Sequence, residues 1–237
     1  MQPFLIQLDA VTFAWPGQSS LLDIQSFALY RGERVFLKGP SGSGKTTLLG
    51  LLGGVLLPDS GSIKLLEKSL ADLSAARRDQ FRADHTGYIF QMFNLLPYLS
   101  LVENVTLPCR FSAVRRARAL ARSASLEQAA LDLLAGLGLS DPQLLRRSVS
   151  ELSIGQQQRV AAARALIGNP ELVIADEPTS ALDADSREAF LQLLFAECER
   201  GGSSLLFVSH DSSLEPLFDR ALSLKDINRA ATTAEVL

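Results

Sequence analysis

The run Arg34-Val35-Phe36-Leu37-Lys38, then Gly39-Pro40-Ser41-Gly42-Ser43-Gly44-Lys45-Thr46-Thr47, then Leu48-Leu49-Gly50-Leu51-Leu52 decides the fold. An apolar strand, a glycine-rich turn and an apolar helix follow one another, and Gly39, Gly44, Lys45 and Thr46 satisfy G-x-x-x-x-G-K-S/T. Each residue type answers a need of a phosphate group. Glycines let successive backbone N–H groups curl around phosphate oxygens. A helix starting near Gly44 points its positive end at the same place. Lys45 brings a mobile point charge to the β- and γ-phosphates, and the Thr46 hydroxyl can reach Mg²⁺. The stretch predicts a nucleotide-binding α/β core.

The 237 residues suffice for one large domain or a core with a small subdomain. A composition of 47% hydrophobic and 21% charged residues, with formal charge -3, reads as a soluble globular chain without the basic surplus that nucleic acid asks for. Cys109 and Cys198 lie in unlike segments and suggest neither zinc site nor disulfide, which suits a reducing compartment. Met1 leads straight into a strand-like segment, so no signal peptide is expected. The apolar stretch Leu48 to Leu57 is interrupted by glycines and too short to span a bilayer, so a membrane role would need a partner.

In chain order, Phe4 to Val11 reads as a strand whose buried face is uncertain, because Leu5 and Ile6 are both apolar. A turn through Trp15-Pro16-Gly17 leads to a second strand, Leu22 to Leu29. Trp15 suits either a buried anchor or a ring stacked on a purine. After the phosphate-loop helix come a short strand, Ser62 to Leu66, a polar helical stretch from Ser69 to Asp84, and a strand, Thr86 to Phe90, ending at Gln91. Residues 92–151 read as a mainly helical insertion, with Arg115, Arg116, Arg118 and Arg122 expected on a solvated face. A helix is expected over Gln157 to Ile167, closed by Gly168-Asn169-Pro170.

Strand ends carry the remaining chemistry. Leu172-Val173-Ile174-Ala175 is apolar throughout, as a buried parallel strand is, and it runs into Asp176-Glu177. Two adjacent carboxylates there are costly unless they hold a metal, a water to be activated or a hydrogen-bonded partner. Asp176 suits Mg²⁺ and Glu177 suits the attacking water. A further buried strand, Ser204 to Val208, ends at Ser209-His210-Asp211, where a histidine can sense phosphate. Ser153 and Gly155 before the long helix read as an anion site or as an ordinary helix cap.

Taken in order, GPSGSGKTT, Gln91, LSIGQQQR, LVIADEPTSALD and His210 resemble the ATP-binding subunits of ABC transporters over nearly the whole chain. The resemblance implies a P-loop NTPase core with a parallel sheet, a small antiparallel β subdomain and an inserted helical subdomain. Expected boundaries are 1–91 for the core with its β subdomain, 92–151 for the helical subdomain and 152–237 for the rest of the core. Trp15 matches the aromatic that stacks on adenine. Gly39, Ser41, Gly42, Ser43, Gly44, Lys45, Thr46 and Thr47 match the loop around the ATP phosphates. Gln91 matches the Q-loop glutamine, near Mg²⁺ and the attacking water. Ser153, Gly155 and Gln156 match the signature segment, which in the family closes on nucleotide held by a second copy. Asp176 matches the Walker B aspartate, Glu177 the catalytic base, Asp183 the D-loop aspartate and His210 the switch histidine. Thr46, Gln91 and Asp176 would hold Mg²⁺, and Lys45 and His210 would stabilise charge.

Two departures stand out. Ile154 occupies a position that is usually glycine in the family's signature, which implies retuned hydrolysis. Lys225-Asp226-Ile227 replaces a short turn remote from the chemistry. The segment FNLLPYLSLVENVTLP and the SALD ending resemble the group serving lipoprotein release, macrolide efflux and cell division. That implies a head-to-tail ATP dimer at the cytoplasmic face of the inner membrane, peripheral through an integral permease. Leu95, Leu96, Pro97, Tyr98 and Leu99 are the expected contact, with an export-type direction and periplasmic or outer-membrane components beyond it. A regulatory ATPase of a membrane or division complex, with no transported substrate, is the competing reading.

Overall fold

The computed structural model describes residues 3–40, 42–145 and 147–230, and the chain divides into two compact units. One comprises Met1–Arg82 with Leu206–Leu237, the other Ala83–Leu205.

In the first unit, β1 (Phe4–Ala14), β2 (Ser20–Tyr30), β4 (Ser60–Leu65) and β5 (Lys68–Ser69) form an antiparallel sheet in the order β2-β1-β4-β5. The register of β1 on β2 shifts between Phe4 and Ile6. That irregularity breaks the strict alternation of a strand, and Leu5 and Ile6 are both buried, which answers the ambiguity of the sequence there. Between β2 and β4 lie β3 (Arg34–Lys38) and α1 (Lys45–Leu52). β3 pairs in parallel with β9 (Arg220–Ser223), Phe36 opposite Ala221. Phe36 and Phe218 pack at 5.3 Å between ring centroids, and Phe207 and Phe218 at 5.2 Å, so aromatic rings fill the space beside β3.

The division between units falls within α2 (Ala75–His85) and β8 (Ser204–Val208). The second unit contains β6 (Thr86–Ile89) and β7 (Leu172–Asp176), paired in parallel with Ile89 opposite Ala175. Its helices are α3 (Leu101–Thr106), α4 (Pro108–Phe111), α5 (Ala113–Leu120), α6 (Leu126–Gly136), α7 (Pro142–Leu145), α8 (Ile154–Leu166) and α9 (Ala184–Gly201). A last short helix, α10 (Leu224–Ile227), follows β9 in the first unit. α8 presents Ala161, Ala162, Ala163 and Ala165, all buried. These small side chains let it approach β6 so closely that a Cβ on Gly87 would lie 2.2 Å from the Ala165 carbonyl oxygen.

α8 begins three residues earlier than expected. Ser153 and Gln156 form a reciprocal capping box, Gln156 N donating to Ser153 Oγ and Ser153 N to Gln156 Oε1, and this starts the helix at Ile154. The arginines of α5 also differ from expectation. Arg115 is only 2% exposed and donates to the carbonyl oxygens of Arg164, Ala165 and Ile167. Those carbonyls belong to the end of α8, where the intrahelical ladder stops, so the guanidinium serves as a C-terminal cap. Burial pulls the Arg115 pKa down to about 10, still far enough from neutrality for the cation to persist. Arg118 makes a two-pronged ion pair with Glu171, which also accepts from His85. Arg116 remains exposed. Among the described residues no helix is long and apolar enough to cross a membrane.

Candidate functional site

The phosphate-type loop lies in the first unit, between β3 and α1. Gly44 is the N-cap of α1 in a left-handed conformation, φ 95°, where a side chain would be strained and would also meet Leu22 Cδ2 at 3.0 Å. Lys45 is buried and folds back on the loop, its Nζ donating to Gly39 O at 2.7 Å and to Pro40 O at 3.1 Å. Ser43 Oγ is buried without a hydrogen-bond partner, and a Cβ on Gly39 would stand 2.8 Å from it. A buried hydroxyl without a partner is an unmet polar demand, of the kind an anion's oxygens would satisfy. Thr46 is exposed and Thr47 buried, so only the former offers its hydroxyl outward. Ser41 lies outside the described residues.

The β1–β2 hairpin brings Trp15 to this loop. Phe13 pairs with Leu22 across the hairpin, and Leu21 and Leu22 are the side chains against Gly44. Trp15 stands edge-on to Phe13 at 5.2 Å and is 39% exposed, which removes the buried-anchor reading and leaves a ring surface open. His210 belongs to the same unit. Ser209 N, just beyond β8, donates to Leu37 O of β3 at 3.3 Å, so His210 follows at the carboxyl end of the strand that feeds the loop. Its side chain is exposed.

In the second unit the parallel register of β6 and β7 carries Gln91 and Glu177 out over the same sheet edge, each two residues past the Ile89–Ala175 pair. That edge is where ligands meet open α/β sheets. Glu177 adopts φ 46°, a left-handed conformation that costs a non-glycine residue about 1–3 kcal/mol. Ser180 N closes the turn behind it onto Glu177 O at 3.3 Å. Phe93 and Asn94, just after Gln91, also have positive φ, 59° and 50°. Of the two expected hydrolytic groups, Glu177 is therefore itself in strained backbone and Gln91 lies just before two strained residues.

At the start of α8, Ser153 caps the helix and Ile154 is 51% exposed. A Cβ on Gly155 would meet nothing nearer than Leu182 Cδ2 at 3.7 Å, so this glycine is not required by packing within the chain. Asp183 caps α9, accepting from Ser186 N at 2.8 Å and Ser186 Oγ at 3.0 Å, and these bonds hold its pKa below the usual carboxylate range. Among the described residues no cluster of three or more His, Cys, Asp or Glu groups suggests a self-contained metal cage. Within the second unit, Gln91 and Asp176 carry hard oxygen donors of the kind that suit Mg²⁺.

The sequence profile of the ABC transporter family matches residues 22–180. The chain belongs to that family. As an ABC ATPase it resembles the lipoprotein-releasing system ATP-binding protein LolD of Shewanella denitrificans, at 39% identity over 88% of this chain and 86% of that one. It is 35% identical, over 94% of its own length, to the macrolide export ATP-binding/permease protein MacB of Photorhabdus laumondii, of which it spans 33%. Its fold superposes with TM-score 0.77 and 33% identity on the dimeric cassette MJ0796 bound to ADP and Pi, covering 93% of this chain and 94% of that one. The P-loop NTPase core and membership of the LolD/MacB group follow from these likenesses.

Sequence reasoning missed three residues of this ABC ATPase. Gln158 is fully buried and donates to Pro178 O at 2.8 Å, tying α8 to the turn after Glu177. Arg164 is buried and donates to the carbonyls of Phe93 and Asn94. Asn104 is buried and bonds Leu96 through both its N–H and its carbonyl, with further bonds to Leu99 O and Ser100 O. Gln158 and Asn104 stand among other polar residues of their helices and Arg164 looks like a surface cation, so no local signal marked their burial.

Proposed function

We propose that two copies of this ATPase close on ATP and drive an integral membrane permease of the lipoprotein-release or macrolide-export kind. The observation that carries the reading is the common sheet edge that bears Gln91, Asp176 and Glu177, with Glu177 in strained backbone. Held strain of this sort marks residues whose placement serves chemistry. The names of LolD and MacB and the dimeric cassettes among its structural relatives support the dimer, the permease and the export direction.

In this reading the N–H groups of Gly39 to Thr47 and the Lys45 ammonium bind the ATP phosphates, releasing Lys45 from the Gly39 and Pro40 carbonyls. Trp15 stacks on adenine. Bound Mg²⁺ would be held by the Thr46 hydroxyl, Gln91 and Asp176, and would neutralise charge between the β- and γ-phosphates. Glu177 accepts a proton from water as the water oxygen bonds to the γ-phosphorus and the bond to the ADP oxygen breaks. Lys45 and His210 stabilise the charge that develops, and Gln91 orients the water. Ser153, Gly155 and Gln156 of one copy, with Asp183, complete the site of the other.

The permease would bear on the loop after Gln91. Tyr98 is 78% and Met92 81% exposed, while Leu95, Leu96 and Leu99 are half-buried beneath and Pro97 is exposed. An apolar surface of this kind, held in shape by Asn104, suits a docking element. The chain would thus act at the cytoplasmic face of the inner membrane.

The decisive experiment is Glu177→Gln. Turnover should fall by about a hundredfold or more while ATP binding persists and an ATP-dependent dimer accumulates in size-exclusion chromatography. Normal turnover by that variant would sink the assignment of the base.

A further inference from the structure

Arg164 sits in the last turn of α8, at the far end of that helix from Ser153, with 9% of its surface exposed. Nη1 donates to Asn94 O at 2.6 Å and Nη2 to Phe93 O at 2.5 Å. Both acceptors are consecutive, and both residues hold positive φ without being glycine. Asn94 N also donates to Met92 O at 2.6 Å, which with the positive φ of Phe93 makes the rarer, strained form of γ-turn. Phe93 N closes a wider turn onto Phe90 O at 2.9 Å. Gln91 lies inside the wider turn, which overlaps the tighter one at Met92 and Phe93.

Left to itself such a backbone would relax toward β or right-handed conformations. What opposes that is the planar fork of the guanidinium, whose two parallel N–H directions match a pair of neighbouring carbonyls. Among the described residues no carboxylate pairs with Arg164, so the carbonyls are what compensate its burial. The same helix holds Pro178 through Gln158 and begins at Ser153. One rigid element therefore grips the residue after Glu177, the loop that carries Gln91 and the signature segment.

We propose that Arg164 is a positioning residue for ATP hydrolysis, holding the Gln91 loop in its strained turn and making α8 the link through which Gln91, Glu177 and the Ser153 helix start are set together. This rests on the proposed roles of Gln91 and Glu177.

The test compares the wild-type chain with Arg164→Lys, Arg164→Lys combined with Asn94→Gly, and Asn94→Val. Steady-state ATPase activity, ATP affinity by equilibrium dialysis and thermal melting are read for each. Lysine keeps the charge, but one nitrogen cannot span both carbonyls in the guanidinium's geometry. Arg164→Lys should lower kcat by roughly ten- to a hundredfold, with KM and ATP affinity within about twofold of wild type. Glycine accepts positive φ without a clamp, so Asn94→Gly should restore most of that rate without restoring the melting temperature. Asn94 is exposed, and valine is strained at its φ of 50°, so Asn94→Val should lower kcat with only a small fall in melting temperature and the chain fully folded at the assay temperature. Asn94→Val decides the matter even if Arg164→Lys does not fold. Wild-type kcat in folded Arg164→Lys or in Asn94→Val, or loss of ATP affinity in step with kcat, overturns the proposal. Glu177→Gln measured alongside separates the failures: if it is inactive while the other variants are normal, only the clamp is wrong, and if it turns over normally the site assignment itself is wrong.

Discussion

Gln158 Nε2 donates to the carbonyl oxygen of Pro178 at 2.8 Å, joining the middle of α8 to the turn that begins at Glu177. The amide is fully buried, and its Oε1 has no partner. Gln158→Leu removes that orphan but leaves the Pro178 carbonyl unmet, so the net loss should be about 1–2 kcal/mol, read as a lower urea midpoint at unchanged m. A rise in the midpoint would show that the orphaned Oε1 outweighs the bond.

Ser43 poses the opposite balance. Its buried Oγ finds no hydrogen-bond partner among the described residues. Ser43→Ala should leave the free chain as stable or more stable by up to about 1 kcal/mol, and weaken ATP binding by about three- to tenfold. Calorimetric melting without nucleotide and isothermal titration with ATP read the two effects separately. Equal losses in both would mean that Ser43 is only structural.

Trp15 is the only tryptophan, and its ring is 39% exposed beside the hairpin end that abuts Gly44. Stacking on a base is worth about 1–3 kcal/mol, so Trp15→Ala should weaken ATP affinity by roughly five- to a hundredfold, and ATP should shift the intrinsic fluorescence of the wild type. Unchanged emission on saturation with ATP would place the ring away from the base.

Glu171 gives a pH signature. Burial pushes its pKa up, but hydrogen bonds from His85 and Arg118 outweigh that and hold it at about 2 instead of 4.5. A carboxylate depressed on folding contributes stability that is complete above its unfolded pKa and is lost as pH falls through the folded one. The contribution should therefore fade between pH 4.5 and about 2. Glu171→Gln should be less stable at neutral pH and show a flatter decline over that window in urea titrations. Parallel declines for the two chains would rule the carboxylate out as the cause.

Much of the site was legible in residue spacing. A phosphate loop is built from backbone groups of consecutive residues, so Gly39 to Thr47 carries its own geometry, and a strand such as Leu172 to Asp176 declares its burial by composition. The burial of Arg115 and Arg164 was not legible. Each looks like a surface cation in its helix, and its fate depends on carbonyls 52 and 70 residues away. The early start of α8 was legible in principle, since Ser153 and Gln156 stand at capping-box spacing.

By itself the sequence determined which strand ends carry carboxylate, amide and imidazole, and which loop has the glycine spacing of a phosphate site, because those features are local in the chain. Only the tertiary structure decided how they are held. Leu5 and Ile6 are both buried because the partner strand's register shifts, and the Gln91 loop is strained because a guanidinium from α8 reaches its carbonyls. Such forces act between segments that are distant along the chain, and a strained conformation exists only where packing elsewhere opposes its relaxation.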